Sequence, residues 1–321
     1  MKPWQHLVVA VADPFLRQQM AIKKAAAIAT RCNARITLFH AFSLPYPLPN
    51  PQPRSGAEAL QAAGENRRKG LERLAKPLRK AGLLVDCVTV WDFPAHEAIV
   101  RQVLKQKPDL LVAESHRHGK VARWLLANTD WELIRACPCP LWFVKTPKLP
   151  AHVSLLAAVD PLHAHAKPAQ LDERIVEQAQ SLAGLMGGEL SLAHAYTAPL
   201  SSAGGTFIEP LRVPISPDKT RRFVESLTDQ VRQLAKRHGI ESDRCLIVEG
   251  DPVTVIDALV QKKKFNVAVM GAVSRSGMKR TFIGSTAERL IDRLRCDLLI
   301  VKPAGFKPAI PRQSAASRLH I

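Results

Sequence analysis

The segment VAVMGAVSRSGMKRTFIGSTAERLIDRLRCDLLIVK, ending at Lys302, has a diverged copy 157 residues earlier. That copy is LLVAESHRHGKVARWLLANTDWELIRACPCPLWFVK, ending at Lys145. Both read strand, loop, helix, strand, and the cysteine before the last strand stays in register at Cys139 and Cys296. A chain of 321 residues that repeats itself at this distance suits two similar units of about 150 residues, each large enough to bury its own core. The second copy carries glycines in the loop at Gly271, Gly277 and Gly284, where the first copy has Glu114, Lys120 and Ala127.

Each unit alternates short apolar runs with helical patterns, which predicts βαβ units around a parallel sheet. Strands are expected at residues 6–12, 35–40, 84–90, 109–113 and 140–145, and again at 153–159, 189–195, 244–249, 266–270 and 297–302. The runs are apolar throughout rather than alternating, as strands covered on both faces are. Helices are expected at 17–32, 57–81, 95–106 and 130–136, then at 171–186, 217–238, 252–262 and 285–295. Gly187-Gly188 is read as the stop of the helix before it. After the second strand, the first unit carries LPYPLPNPQP, an extended proline-rich loop, and the second carries APLSSAGGTFIEPLRVPISPD, also read as loop. The expected division is a first domain over 1–146, a linker, a second domain over 151–304 and a mobile tail over 305–321.

Composition narrows the function. No apolar run approaches the roughly 18 residues that a membrane span needs. The opening stretch reads as a first strand rather than a signal peptide. The six cysteines form no CxxC pair and suit buried thiols in a reducing cytoplasm. Cys137 and Cys139 lack the second ligand pair of a zinc site, and the alternating His116/His118 and His163/His165 lack acidic or cysteine partners, so no metal site is expected. Net charge is +18, of which +12 falls in the first 150 residues. Aromatics make up only 5%, and no nucleic-acid motif is present, so a solvated basic surface is expected rather than a nucleic-acid partner.

The second unit places its glycine loop after a parallel strand and opens a helix with Gly284-Ser285-Thr286. A backbone without Cβ approaches phosphate oxygens closely, and amides at a helix N-terminus point at an anion. Ser285 and Thr286 add hydroxyl donors, and Lys279 and Arg280 bring positive charge. Such a loop suits a nucleoside di- or triphosphate.

The segment from Gly271 to Ser285 resembles the nucleotide loop of the universal stress protein family, G-x2-G-x9-G-[ST]. The following helix, Cys296 and the final apolar strand continue that pattern, and VSLLAAVD supplies the aspartate that ends the family's first strand, Asp160. The likeness covers nearly the whole chain as two tandem copies. It implies an open five-stranded parallel sheet of order 3-2-1-4-5 in each half, a Rossmann-like or flavodoxin-like α/β fold. It further implies ATP in the second half, in the crevice at the carboxyl ends of strands one and four. By position, Asp160 would contact adenine, Ala158 and Val159 would line the base pocket, and Met270 and Gly271 would sit against the ribose. Gly284, Ser285 and Thr286 would hold the phosphates. The family's second loop glycine is Ser274 here, where a left-handed φ would cost about 1 kcal/mol, and Gly277 supplies flexibility nearby.

The first unit departs further. Its loop positions are Glu114, Arg117 and Ala127, followed by Asn128, and Glu114 would repel a phosphate. Asp13 is read as the end of its first strand, and His40 and His194 sit at matching ends of the second strands. No GxSxG, HExxH or P-loop is present, so no dedicated catalytic machinery is expected. The resemblance implies a cytoplasmic stress-response protein that binds a nucleotide, its halves packed as an internal pseudo-dimer through their final strands. A further homodimer stays open, and the protein partner is unnamed. The alternatives are a slow ATPase or phosphotransferase on the same loop, or a basic scaffold without nucleotide.

Overall fold

The computed structural model describes residues 4–43, 56–115, 127–147, 150–161, 170–197, 200–203, 211–214, 216–272 and 285–314. In the first half the elements are β1 (His6–Ala10), α1 (Met20–Cys32), β2 (Arg35–Phe42), α2 (Gly56–Lys80), β3 (Val85–Trp91), α3 (Ala95–Gln106), β4 (Leu110–Glu114), α4 (Ala127–Ala136) and β5 (Leu141–Val144). The second half continues with β6 (Ser154–Ala158), α5 (Leu171–Met186), β7 (Glu189–Tyr196), β8 (Leu200–Ala203), β9 (Leu211–Pro214), α6 (Pro217–Arg237), β10 (Cys245–Glu249), α7 (Pro252–Lys263), β11 (Val267–Gly271), α8 (Ser285–Arg293) and β12 (Asp297–Val301).

Each half has the expected strand order 3-2-1-4-5, but the two sheets are not separate. They fuse into one ten-stranded sheet, β10-β7-β6-β11-β12-β5-β4-β1-β2-β3. Within this sheet every pairing inside a half is parallel, and only the joint between β12 and β5 is antiparallel. The final strands therefore pair edge to edge, which removes an exposed edge from each half. The sequence pattern carries no sign of this fusion, because a buried edge strand and a buried central strand are equally apolar.

Side-chain alternation matches across the joint. Leu298 faces Phe143 and Ile300 faces Leu141 in one core layer, while Leu299 faces Trp142 in the other. The sheet separates two apolar layers that run through both halves. One is packed by α1, α2, α5 and α6 with Ile28, Leu71, Leu182 and Leu234; the other by α3, α4, α7 and α8 with Val103, Leu133, Ile256 and Leu290. Fully burying such a side chain contributes about 1.5–3 kcal/mol.

Local chemistry explains most element ends. Asp251 caps α7 by accepting from Thr254 N at 3.1 Å, with Pro252 at the first helical position. Gly187 ends α5 with φ 60°, the left-handed stop read from the Gly-Gly pair. Helix α1 starts at Met20, later than the pattern predicts. Before it the chain turns, and Gln19 Nε2 donates to Asp13 O (2.7 Å) and Leu16 O (3.3 Å). The loop expected after the second strand of the second half holds an antiparallel pair, β8 with β9, in the register Leu200↔Pro214 to Ala203↔Leu211. Residues 303–314 do not run free. Ile310 packs on the core layer of α3 and α4, and Arg101 donates to Pro311 O at 3.1 Å. These residues, part of the stretch expected as a mobile tail, thus make contacts with the first half.

The joint carries a buried polar knot. Asp297 Oδ1 accepts from Lys145 N (3.0 Å), Thr146 N (3.1 Å) and Thr146 Oγ1 (3.0 Å), while Oδ2 pairs with Lys24 Nζ at 2.5 Å. Lys24 and Asp297 are 3% and 1% exposed, so neither charge has water to fall back on. Removing one partner of such a pair leaves the other charge buried alone, at a cost of about 3–5 kcal/mol. Asp297→Ala is expected to lower urea-unfolding stability by that amount. Glu72→Gln, which breaks the exposed pair with Arg79, is expected to cost less than about 1 kcal/mol in the same measurement.

Candidate functional site

In the second half, β6 and β11 lie side by side, and their connections leave toward opposite ends of the sheet. A crevice forms at the carboxyl ends of strands at such a switch point. Ala158 pairs with Met270 in register, so Val159 and Asp160 on one strand and Gly271 on the other reach that rim together. Helix α8 returns antiparallel to the strands, and its first residues, Ser285 and Thr286, come back to the same edge. Ser274, Gly277 and Gly284 lie outside the described residues, as do Arg117 and the histidine pairs His116/His118 and His163/His165.

The rim is held from behind by polar groups. His194, at the end of β7, donates from Nδ1 to Val159 O at 2.9 Å, and Val159 N bonds to Ala193 O at 2.9 Å. Both backbone groups of Val159 are thus engaged and its side chain is buried in the core, as is that of Met270. His194 Nδ1 also lies 3.9 Å from Asp160 Oδ1, and the Asp160 side chain is about a third exposed. With Nδ1 donating, the neutral ring leaves Nε2 as an acceptor. That atom is buried and has no hydrogen-bond partner among the described residues. Asp160 N donates to Asp172 Oδ1 (3.2 Å), which brings the first turn of α5 to the rim. Asp172 was not among the residues expected here; its place in the first helical turn after a rim loop was the available signal.

The first half repeats the frame and changes the contents. His40 donates from Nδ1 to Val11 O at 2.8 Å, and Val11 N bonds to Phe39 O at 2.8 Å. This register makes Val11 the counterpart of Val159. Ala12, rather than Asp13, then stands where Asp160 stands, so the first half has no carboxylate at that position. Asp13 instead accepts from Phe15 N at 2.8 Å and shapes the turn before α1.

Gly271 and Glu114 are counterparts at the ends of β11 and β4, since each pairs with the last residue of the neighbouring final strand. A Cβ on Gly271 would lie 2.8 Å from Leu171 Cδ2 and 3.1 Å from Ile175 Cδ1. The glycine therefore lets α5 sit close against β11, independently of any ligand. In the first half the carboxylate of Glu114 reaches Ala21 N at 2.9 Å, in the first turn of α1. There it offsets the positive end of the helix and satisfies one of its free amides. Glu114 thus has a structural task as well as the wrong sign for a phosphate.

A cavity of about 640 Å³ lies elsewhere, lined by Lys24, Trp142, Val153, Lys264, Phe265 and Asp297 among others. Val153, Lys264, Phe265 and Asp297 sit at the amino ends of β6, β11 and β12, Lys24 comes from α1 and Trp142 from β5, so the cavity belongs to the joint and not to the switch point. Among the described residues, no group of three or more His, Cys, Asp or Glu is placed to hold a metal. No helix among them is long and apolar enough to cross a membrane.

A sequence model described as the universal stress protein family matches residues 3–145 and again 156–302. The chain is 30% identical over 317 residues to universal stress protein E of Photorhabdus laumondii, covering 96% of this chain and 98% of that protein. It is 29% identical over 315 residues to universal stress protein E of Escherichia coli strain K12, covering 97% and 98%. A functionally unknown protein from Pseudomonas aeruginosa PAO1 superposes with a TM-score of 0.69 at 23% identity, over 94% of this chain and 93% of that one. A universal stress protein from Archaeoglobus fulgidus gives 0.62 at 16% identity, over 94% and 98%. At these identities the structural likeness speaks of the fold.

Two measurements check the site's framework. Gly271→Ala is expected to cost about 1–3 kcal/mol by overpacking against α5, and adding Leu171→Ala is expected to recover part of it relative to Leu171→Ala alone. Burial pushes His6 and His40 below the ordinary histidine value. As pH falls through about 6.5 the unfolded chain binds protons that these native rings refuse, so stability is expected to fall from pH 7 to pH 5. Each histidine contributes a slope of no more than about 1.4 kcal/mol per pH unit, and His40→Gln flattens the profile in denaturation at stepped pH.

Proposed function

Since the chain belongs to the universal stress protein family, in its tandem form, we propose that it is a stress-response protein that binds ATP in its second half only. His194 Nε2 carries the reading. It is a buried ring nitrogen without a hydrogen-bond partner among the described residues, and Nδ1 of the same ring lies 3.9 Å from the Asp160 carboxylate at a topological switch point. A buried polar atom left unpaired costs about 1–3 kcal/mol, which a ligand donor removes. The exocyclic amine of adenine supplies such a donor, whereas guanine presents an acceptor there. Asp160 accepts a second donor from base or ribose. The strand ends at Ala158 and Val159 wall the base, and Met270 and Gly271 offer backbone rather than side chain to the sugar. Ser274, Gly277 and Gly284, with Ser285 and Thr286 opening α8, receive the phosphates at a helix N-terminus.

The first half keeps the fold without the site. Ala12 in place of an aspartate, and Glu114 in place of a glycine, support this. The protein acts as a nucleotide-responsive binder in the cytoplasm, where a reducing environment suits six free cysteines.

Native mass spectrometry of gently purified protein is expected to show one ATP per chain. Asp160→Ala and Gly284→Asp are each expected to weaken ATP binding tenfold or more, and Asp13→Ala to leave it unchanged. ATP is expected to bind at least tenfold more tightly than GTP, and His194→Ala to narrow that ratio. An empty protein that ignores added ATP would overturn the reading.

A further inference from the structure

The outer face of α2 is a row of positive charge. Leu71, Leu74, Ala75 and Leu78 turn one side of this helix into the core. On the opposite side Lys69, Arg73, Lys76 and Lys80 recur at spacings of four, three and four, which aligns them along one face, and all four are exposed. From Glu65 to Lys80 the helix carries seven Lys and Arg against two Glu, a balance of +5. Of the two acids, Glu72 is taken up by Arg79 at 2.5 Å, and Glu65 lies beyond the start of the row, where Gln61 Nε2 donates to it at 3.1 Å. Beside the row, the turn between β1 and α1 shows two large apolar side chains to solvent, Phe15 at 45% and Leu16 at 52% exposure. Arg17 follows them, also exposed. Backbone contacts fix this turn. Arg73 Nη2 donates to Phe15 O at 3.1 Å, Phe15 N donates to Asp13 Oδ1 at 2.8 Å, and the buried Gln19 amide donates to Leu16 O at 3.3 Å. A Cβ on Gly70 would lie 3.0 Å from Pro14 O, so the turn packs directly on α2.

Two exposed apolar side chains are too small a patch to hold a protein partner by themselves. A nucleic acid would use the cations and leave Leu16 in water. An anionic bilayer uses both: its phosphates meet the basic row, and an apolar side chain enters the boundary between headgroups and acyl chains. We propose that the outer face of α2, together with the Phe15–Leu16 turn, docks the protein reversibly on an anionic lipid surface. The helix keeps its apolar side in the core, so it lies on the bilayer and does not enter it. Only Phe15 and Leu16 go below the headgroups. Neither signal suffices alone, since lasting attachment takes an apolar anchor and a basic patch together. Arg73 belongs to the row and holds the turn, and its guanidinium has further donors to offer a lipid phosphate. The two signals are thus one preformed unit, with little order left to impose on contact. Salt screens the attraction within a Debye length of the surface. The face lies in the first half, so its test is independent of nucleotide binding by the second.

The test is co-sedimentation of the full-length protein with vesicles of phosphatidylglycerol and phosphatidylcholine, and with vesicles of phosphatidylcholine alone. Sedimentation with the anionic vesicles only is expected, and it falls tenfold or more between about 0.05 M and about 0.5 M salt. Phe15→Ser with Leu16→Ser is expected to weaken vesicle binding about tenfold while leaving retention on heparin, a polyanion without acyl chains, unchanged. Lys69→Glu with Lys76→Glu is expected to lower both. Lys262→Glu with Lys263→Glu removes the same charge from the end of α7, on the other layer of the sheet, and is expected to leave vesicle binding unchanged. All six side chains are exposed, so each variant is expected to keep the wild-type midpoint in urea. No sedimentation, equal sedimentation with neutral vesicles, or a loss from the α7 pair equal to that from the α2 pair would overturn the proposal. Vesicle binding undiminished by the serine pair would overturn it as well and would leave a polyanion such as nucleic acid as the occupant.

Discussion

The Asp297 carboxylate is the constraint on which the arrangement of the two halves depends. It stands at the start of β12 and accepts from Lys145 and Thr146, where the first half ends and the linker begins. Its other oxygen holds Lys24, from the first helix of the chain. One side chain thus ties the N-terminal helix, the exit of β5 and the entry of β12. Hydrophobic pairing of β5 with β12 supplies most of the joint's stabilisation, but apolar contact alone specifies register weakly. A slip of one residue would exchange Leu298 and Ile300 with Leu299 between the two core layers. It would also pull Asp297 away from a buried lysine, leaving that charge only the Thr146 hydroxyl at 3.1 Å.

The frame was legible in the residues because its elements are written in local terms. Apolar runs such as LLVA and DLLIV read as covered strands, Gly187 as a helix stop, and the repeated segment as a repeated fold. What escaped was set by contacts distant in sequence. The family resemblance implies that the final strands meet, but strand composition itself says nothing about which edge is paired, and one continuous ten-stranded sheet is not among the expectations. The β8–β9 pair hides in a stretch rich in Gly, Ser and Pro, where turn residues outweigh strand formers. Residues 303–314 carry no periodicity because they pack as isolated anchors, Phe306 over Lys302 and Ile310 on the core, rather than as an element.

The candidate site was legible to a different degree. Asp160, Gly271 and the start of α8 follow from spacing, and topology gathers them at one edge. The reasons for individual residues did not follow. Gly271 reads as a phosphate glycine, yet its lack of Cβ is already required by Leu171 and Ile175. Glu114 reads as a residue that only excludes phosphate, yet it caps α1. Counting residues to the end of an apolar run matched Asp13 with Asp160. The hydrogen bonds of His40 and His194 show that the match is one position off, a shift that only the ladder can reveal.

Duplication within one chain has a physical consequence that assembly from two identical chains lacks. In a twofold dimer a residue at one corner of the interface is obliged to appear at the other, so any corner must work in duplicate. Here the joint keeps the twofold geometry while its corners are encoded separately. One corner buries a carboxylate with Lys24 and donates Lys145 to the end of α8. The other has Pro140 in place of the carboxylate and keeps the lysine, Lys302, over the ring of Phe306. The crevices diverge by the same freedom: a carboxylate at Asp160 in one half, Ala12 in the other. A buried ammonium with no hydrogen-bond partner among the described residues is tolerated because stability is supplied across the whole ten-stranded sheet. The first half therefore needs only to hold β5 and α1 in place for the second half's strands to end where they do.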